Sequence, residues 1–403
     1  MREFDTIGDR MVRDESPPGV TLDPGGGPTT DRPRDPRDVA EAVRAAAATG
    51  VRLRVRAGGS WLDAGRPTTT DRILDLAALS GIVDYVPGDL TLTAAAATPL
   101  AAIEHATREW NQWLALDGFG GEARTLGATL ATASAGPLAA SVGLPRDVAL
   151  GIEVVTGDGA LVRGGGRVVK NVAGFDLVRL NVGAWGTLGV LTEATVRLRA
   201  RPECDRTIAL PLPADPAATA TLLSTLRTAP LAALAAELLS SGLARQLGVG
   251  EQGTILVRIA GNQTLVAAQH AALTALGDTR EFDSADVWTR LRTSEPADVA
   301  VFRASARPAA LLHRWHQVTT LPLQFAHASL ERGIVRGWVD PADPELASRI
   351  LTSLGPRHLV VERAPVATWS LLPTPAPRPL DARVRAAFDP HRVLNPGIMG
   401  DTP

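Results

Sequence analysis

Cysteine is nearly absent from this sequence: Cys204 is the only one in 403 residues. That excludes an internal disulfide framework, a cysteine-rich zinc site and any iron–sulfur cluster held by cysteines of this chain alone. Aromatics are few, and neither sign of charge dominates, with 41 Lys and Arg against 43 Asp and Glu. No basic stripe with interleaved aromatics occurs, so nucleic-acid binding has no support. No uncharged apolar run reaches about 18 residues, which excludes a membrane-spanning helix and direct membrane insertion. The opening MREFDTIGDRMVRDESPPG is charged and lacks the apolar stretch of a signal peptide. The expected location is the cytoplasm, with any attachment to the inner membrane made through partners. Several motifs are missing as well: GxGxxG after a first strand, GxxxxGK[ST], HExxH and GxSxG. Rossmann, P-loop, zincin and hydrolase-elbow chemistry therefore lack support.

What is present is Ala, Leu, Val and Gly in quantity, enough for a large core in two or three domains. Residues 1–30, rich in Pro, Gly and Asp, read as a flexible, extended lead-in. Asp35-Pro36 opens a helix with Val39, Ala42, Val43 and Ala46 at helical spacing, and Gly50 stops it. Val51 to Val55 alternates as a strand and runs into Ala57-Gly58-Gly59-Ser60. That turn reads either as an anion nest of backbone N–H groups or as a plain loop. A hairpin is expected over 82–94 around Pro87-Gly88, and a helix after Thr98-Pro99. Residues 116–136, LDGFGGEARTLGATLATASAG, are almost free of charge and rich in small residues. They suit close packing on a ligand or a buried small-residue helix. Strands follow over 148–155 and 160–163, and Gly164-Gly165-Gly166 reads as a flexible turn. Residues 167–191, RVVKNVAGFDLVRLNVGAWGTLGVL, hold two glycine-punctuated segments that feed an apolar strand.

Four segments, VRAGGS (55–60), TLGATLATASAG (125–136), RDVALGIEVVTGDG (146–159) and VVKNVAGFDLVRLNVGAWGTLGVLTE (168–193), resemble in order and spacing the FAD-binding domain of the vanillyl-alcohol oxidase/PCMH (VAO/PCMH) flavoprotein superfamily. KNVAGFDL and the late DP…NPG (389–397) are similar to the FAD-binding E-subunit family of bacterial glycolate oxidase. The resemblance implies an α+β protein: a two-subdomain PCMH-type FAD-binding domain over 31–203 and an antiparallel-sheet cap over 204–372 with helices on one face. Residues 373–403 would be a linker and a tail returning to the FAD domain. It implies that Arg56, Ala57, Gly58, Gly59, Ser60 and Trp61 hold the pyrophosphate. Thr125, Leu126, Gly127, Ala128, Thr132, Ser134 and Gly136 would line flavin and pyrophosphate. Gly174, Gly186, Leu188, Gly189 and Val190 would face adenine and ribose, and Asn395 would approach the isoalloxazine. Ala57 stands where the family usually has Gly. Neither the Gly-Gly turn nor 125–136 holds a His or Cys, so non-covalent FAD is expected. Trp61 either stacks on the cofactor or only packs.

The cap reads as strands near 207–210, 254–259, 299–304, 323–328, 334–339 and 358–362, with helices over 215–228, 263–276 and 344–354. A 2-hydroxy acid needs a cation for its carboxylate and a base for its hydroxyl. Arg303 is the candidate cation, against a plain strand charge. His327, in FAHASLERG, is the candidate base or metal ligand, against a structural histidine. Related D-2-hydroxy-acid dehydrogenases carry a pattern like HxGDGNxH. Here 327–334 keeps the first His and lacks the Asn and the second His, so that two-imidazole metal site is not available. No metal is expected. The leading expectation is an FAD-binding subunit of a glycolate oxidase/dehydrogenase-type complex. Its partners would be a D-type flavin subunit and an F-type iron–sulfur subunit. The alternatives are a stand-alone FAD-linked alcohol or 2-hydroxy-acid dehydrogenase and a non-catalytic FAD-binding scaffold.

Overall fold

The computed structural model describes residues 29–400, except 60, 62, 122, 167–175, 324, 341, 356–358 and 375–377. The chain is α+β and is built on two main sheet assemblies. In the first, helix Pro36–Thr49 starts where the Asp35 carboxylate accepts the N–H groups of Arg37 and Asp38, and it ends at Gly50 in left-handed geometry. Its buried Val39, Val43 and Ala46 join Leu53 and Leu74 in one core. Leu53 and Leu74 belong to a three-stranded parallel sheet of Thr29–Asp31, Arg72–Asp75 and Leu53–Arg56. A five-stranded antiparallel sheet stands beside it, ordered Ile82–Val86, Thr91–Ala95, Val190–Arg197, Ala149–Val155, Leu161–Gly165. The expected hairpin forms, with a short 3-10 turn over Pro87–Asp89.

One expectation fails here. Gly164 and Gly165 do not form a flexible turn; they are paired strand residues opposite Ile152 and Gly151. A Cβ on Gly165 would lie 2.1 Å from the Leu150 carbonyl oxygen. These glycines serve close packing, not flexibility.

The second assembly is an eight-stranded, wholly antiparallel sheet. Its order is Arg280–Asp283, Cys204–Pro211, Thr254–Gly261, Ala233–Leu239, Phe325–Ser329, Ile334–Val339, Ala300–Ser305, Leu359–Arg363. Strand alternation splits it into two faces. Ile208, Leu210, Ile255, Val257 and Phe302 pack under helices Pro216–Thr228, Gln263–Thr274, Leu311–Thr319 and Pro344–Ser353. Ala209, Leu256, Val301 and Trp338 face the other way, under Ser241–Gln246 and Ser284–Arg292. Helices therefore cover both faces, not one. The reason is legible in runs such as Ile208-Ala209-Leu210, where neighbouring residues are all apolar and both faces need cover.

The C-terminal segment returns to the parallel sheet. Leu394 bridges Leu53 in parallel, the Leu53 N–H donates to the Val393 carbonyl at 2.7 Å, and the Asp389 carboxylate accepts the N–H groups of Val393 and Leu394. Trp338, fully buried in the second face, tests the packing of the large sheet. Trp338→Ala is expected to lower the unfolding free energy by about 3–5 kcal/mol. A denaturant midpoint equal to that of the unsubstituted protein would contradict this packing.

Candidate active site

A cleft of about 780 Å³, open to solvent, lies between the parallel sheet, helix Leu126–Ala131 and the C-terminal segment. Arg56, Ala57, Gly58, Gly59 and Trp61 reach it from the turn after strand Leu53–Arg56. Gly127, Ala128 and Thr132 form a second wall, Gly186, Gly189 and Val190 a third, and Asn395 closes it from the C-terminal segment. Thr125, Leu126, Ser134 and Leu188 are buried and do not line it. Thr125 instead caps helix Leu126–Ala131, and Ser134 Oγ accepts the Phe119 N–H. Gly136 lines a different cavity. Ser60 and Gly174 lie outside the described residues.

The walls are thin because the packing demands it. A Cβ on Gly127 would sit 2.7 Å from Ala96 Cβ. A Cβ on Gly186, where φ is +67°, would sit 2.7 Å from Asn395 Nδ2. Asn395 acts as a strut: its Oδ1 accepts the Val55 N–H at 2.9 Å and its Nδ2 donates to the Trp185 carbonyl at 2.9 Å. Those two bonds set the spacing of opposite walls, a role beyond the expected approach to a ring. Trp61 stacks on Trp185 at 6.4 Å and lies under the Arg124 guanidinium at 4.0 Å.

The lining fits FAD. It contains no carboxylate and it carries Arg54 and Arg56, which suits an anionic ligand. Glycine and alanine walls with two indoles suit a flat ring system. Among the described lining residues there is no His, Cys or Tyr to form a covalent tether. Burial lowers the pKa of Arg54.

Arg124, 1% exposed, joins this cleft to a second cavity. It donates to the hydroxyls of Thr129 and Thr132 and to the Phe119 carbonyl. Burial pushes its pKa down to about 9, so it stays a cation at neutral pH. The Phe119 ring then packs on His327, 5.4 Å between centroids, and lines the second cavity with Gly136, Glu237, Arg303, Ser329, Arg332 and Arg336. Sheet register explains the gathering. His327, Arg336 and Arg303 are cross-strand partners in one row, and Glu237 pairs with Ser329 in the next.

Both expected catalytic residues are in this cavity, in different states. His327 is 4% exposed; its Nδ1 lies 2.7 Å from the Glu237 carboxylate, and its Nε2 has no partner. The Glu237 carboxylate fixes the ring through Nδ1, with Nε2 left unpartnered at the cavity. Arg303 Nε is ion-paired with Glu362 at 3.0 Å. Burial works to raise the Glu362 carboxyl, but Arg336 and Arg303 outweigh it and hold it below the usual range. Arg54, Arg124, Trp185, Glu237, Arg332 and Arg336 are site residues that the sequence reading did not single out. One signal was available: Arg124 is the lone cation in the small-residue stretch 116–136.

Residues 29–165 match the family model "FAD binding domain". The fold matches solved structures: p-cresol methylhydroxylase at TM-score 0.71, with 14% identity, covering 93% of this chain and 89% of that one; and alkyldihydroxyacetonephosphate synthase at 0.69, with 16% identity, covering 91% and 75%. The chain therefore carries an FAD-binding domain over residues 29–165, and its fold is that of the VAO/PCMH-type proteins. Among curated proteins it is similar to glycolate oxidase subunit GlcE of Escherichia coli K12, 41% identical over 163 residues, 40% of this chain and 46% of the relative. It is also similar to D-2-hydroxyglutarate dehydrogenase of Xanthomonas citri pv. viticola, 32% identical over 45% of this chain and 39% of that one. D-lactate dehydrogenase of Archaeoglobus fulgidus is 28% identical over 50% and 45%. The matched region spans less than half the length of each of these relatives. Among the described residues, no helix is long and apolar enough to cross a membrane.

Asn395→Ala removes both strut bonds. At about 1 kcal/mol per bond, thermal unfolding is expected at lower temperature and FAD affinity to fall about tenfold or more. A flavin titration unchanged by the substitution would remove Asn395 from the cleft's construction.

Proposed function

We propose that this chain is the FAD-binding subunit of a glycolate oxidase/dehydrogenase-type complex, and that it oxidises a small 2-hydroxy acid. The observation that carries the reading is the pairing of the carboxylate-free cleft with a cavity holding a buried, Glu237-oriented His327 whose Nε2 is unpartnered. Glycolate, 2-hydroxyglutarate and lactate, the acids in the relatives' names, share one chemical class. The names of two relatives, as subunits of glycolate oxidase, support a complex; its partners in this reading are a D-type flavin subunit and an F-type iron–sulfur subunit. The absence of His, Cys and Tyr from the described cleft lining supports non-covalent FAD.

When bound, FAD supplies the acceptor for the two electrons and hydrogen lost from the α-carbon. The chain's own part is to bind, orient and move a proton. Arg56, Gly58 and Gly59 hold the pyrophosphate region, with Thr132 on the facing wall. Phe119 and the buried sheet face keep water from the cavity. His327 Nε2 takes the hydroxyl proton, and Glu237 stabilises the imidazolium that results. The intact cavity also favours a second reading, in which the chain turns over substrate without partners.

The test is the visible absorption spectrum of the purified chain, before and after anaerobic addition of glycolate or D-lactate. A flavin band that bleaches is expected, with all flavin released on acid precipitation. His327→Gln is expected to keep the flavin and slow bleaching by about a hundredfold or more. A flavin band unmoved by either acid, with partner subunits present, would sink the 2-hydroxy-acid reading. Flavin retained in the acid pellet would sink non-covalent binding.

A further inference from the structure

We infer that Arg332, not Arg303, is the cation that receives a substrate carboxylate, and that it does so without a divalent metal. This deepens the 2-hydroxy-acid reading above and rests on it.

The cavity holds three guanidinium groups, and two are already committed. Arg303 is paired with Glu362, and Arg336 with both Glu362 and Glu295. Arg332 differs. Among the described residues no carboxylate lies within ion-pair distance of it, and its one hydrogen bond is to the Gly136 carbonyl at 3.5 Å, the weak limit for such a bond. Burial lowers its pKa, the mark of a cation held partly out of water without a full counter-charge.

Four further polar atoms of the same cavity lack hydrogen-bond partners: His327 Nε2, Ser329 Oγ, Arg336 Nη2 and Arg303 Nε, the last held only by its ion pair with Glu362 at 3.0 Å. His327 and Ser329 are 4% and 5% exposed, so water does not meet their needs freely. Buried polar groups are rarely left unmatched, and each unmatched one costs stability. Such groups around one narrow cavity describe a small, oxygen-rich ligand. A carboxylate satisfies the fork of Arg332, with Arg336 Nη2 or Ser329 Oγ on its other oxygen. A neighbouring hydroxyl meets His327 Nε2. A short 2-hydroxy acid has these groups on adjacent carbons.

A divalent cation suits this donor set poorly. Among the described residues the one carboxylate His327 bonds is Glu237, and that carboxylate is taken up by Nδ1. Ile334, which also lines the cavity, offers no ligand atom. No cluster of three or more His, Cys, Asp or Glu occurs among the described residues. A fixed guanidinium does the work of charge neutralisation in place.

The experiment is calorimetric titration of the FAD-loaded protein with glycolate and with 2-hydroxy-2-methylpropanoate, which has no α-hydrogen to lose. Both are expected to bind, equally with and without EDTA. Arg332→Gln is expected to weaken binding about ten- to a hundredfold while keeping flavin content and melting temperature. Arg332→Lys should recover part of the loss, and Arg307→Gln, on the nearby surface, should bind as the unsubstituted protein does. Undiminished binding in Arg332→Gln, or binding abolished by EDTA, overturns the inference. If Arg332→Gln leaves the acid's affinity intact yet flavin bleaching proceeds, the 2-hydroxy-acid reading survives and the Arg332 assignment fails. If the unsubstituted, FAD-loaded protein neither binds nor is reduced by either class of acid, both fall. Should Arg332→Gln fold poorly, the Lys variant decides: affinity lost despite the retained charge and a normal melt also overturns it.

Discussion

Arg336 lies 3% exposed on strand Ile334–Val339, its guanidinium shared between Glu295 and Glu362 and stacked 4.0 Å over the Phe119 ring. Burial alone would lower its pKa; the two carboxylates outweigh that and raise it. The same carboxylates reach further. Glu362 pairs with Arg303, and Glu295 lies 3.5 Å from Arg363, which binds Asp63 near the glycine turn. The Arg363–Asp63 pair is half in solvent and contributes little energy by itself. The backbone fixes the position: Ala64 bridges Arg363, and the Gly65 N–H donates to the Glu362 carbonyl at 2.7 Å. The buried members are different, because removing one partner of such a pair leaves the other uncompensated, at about 3–5 kcal/mol. The large sheet and the cofactor cleft are thus held in one register by charges that cannot be moved singly.

That constraint explains why the second cavity is polar within an otherwise apolar sheet. Alternation sends Glu237, Arg303, His327, Ser329 and Arg336 to one face, which elsewhere carries Leu239, Val301 and Trp338. Helices Ser241–Gln246 and Ser284–Arg292 cover the apolar part. The polar part meets Phe119, Gly136 and Pro137 from the FAD-binding half. Arg124 stands between, stacked on Trp61 on one side and bonded to the Phe119 carbonyl on the other. A change on either side is felt through a single side chain.

Much of the fold was legible because it rests on local chemistry. Asp35, Asp215 and Asn262 cap the helices that follow them, and Gly50 ends the first. The glycine segments marked three walls of the cleft, since a Cβ at Gly127 or Gly186 would collide with neighbours. Other features were not legible, and for physical reasons. Ala233–Leu239 is Ala- and Leu-rich and reads as well for helix as for strand; only its pairing with Thr254–Gly261 and Phe325–Ser329 decides. Gly164 and Gly165 looked like a turn because glycine frees the backbone, yet here it serves close approach. The ion pairs of Arg303 and Arg336 join strands and loops far apart in sequence, so no spacing rule could separate a committed arginine from an available one.

The most direct measurement is a crystal structure of the chain grown with FAD and 2-hydroxy-2-methylpropanoate. The account predicts the pyrophosphate against Gly58 and Gly59, the ring system near Trp61 and Asn395, and the acid's carboxylate on Arg332 with its hydroxyl at His327 Nε2. FAD held elsewhere, or the acid seated away from the His327 cavity, would contradict it.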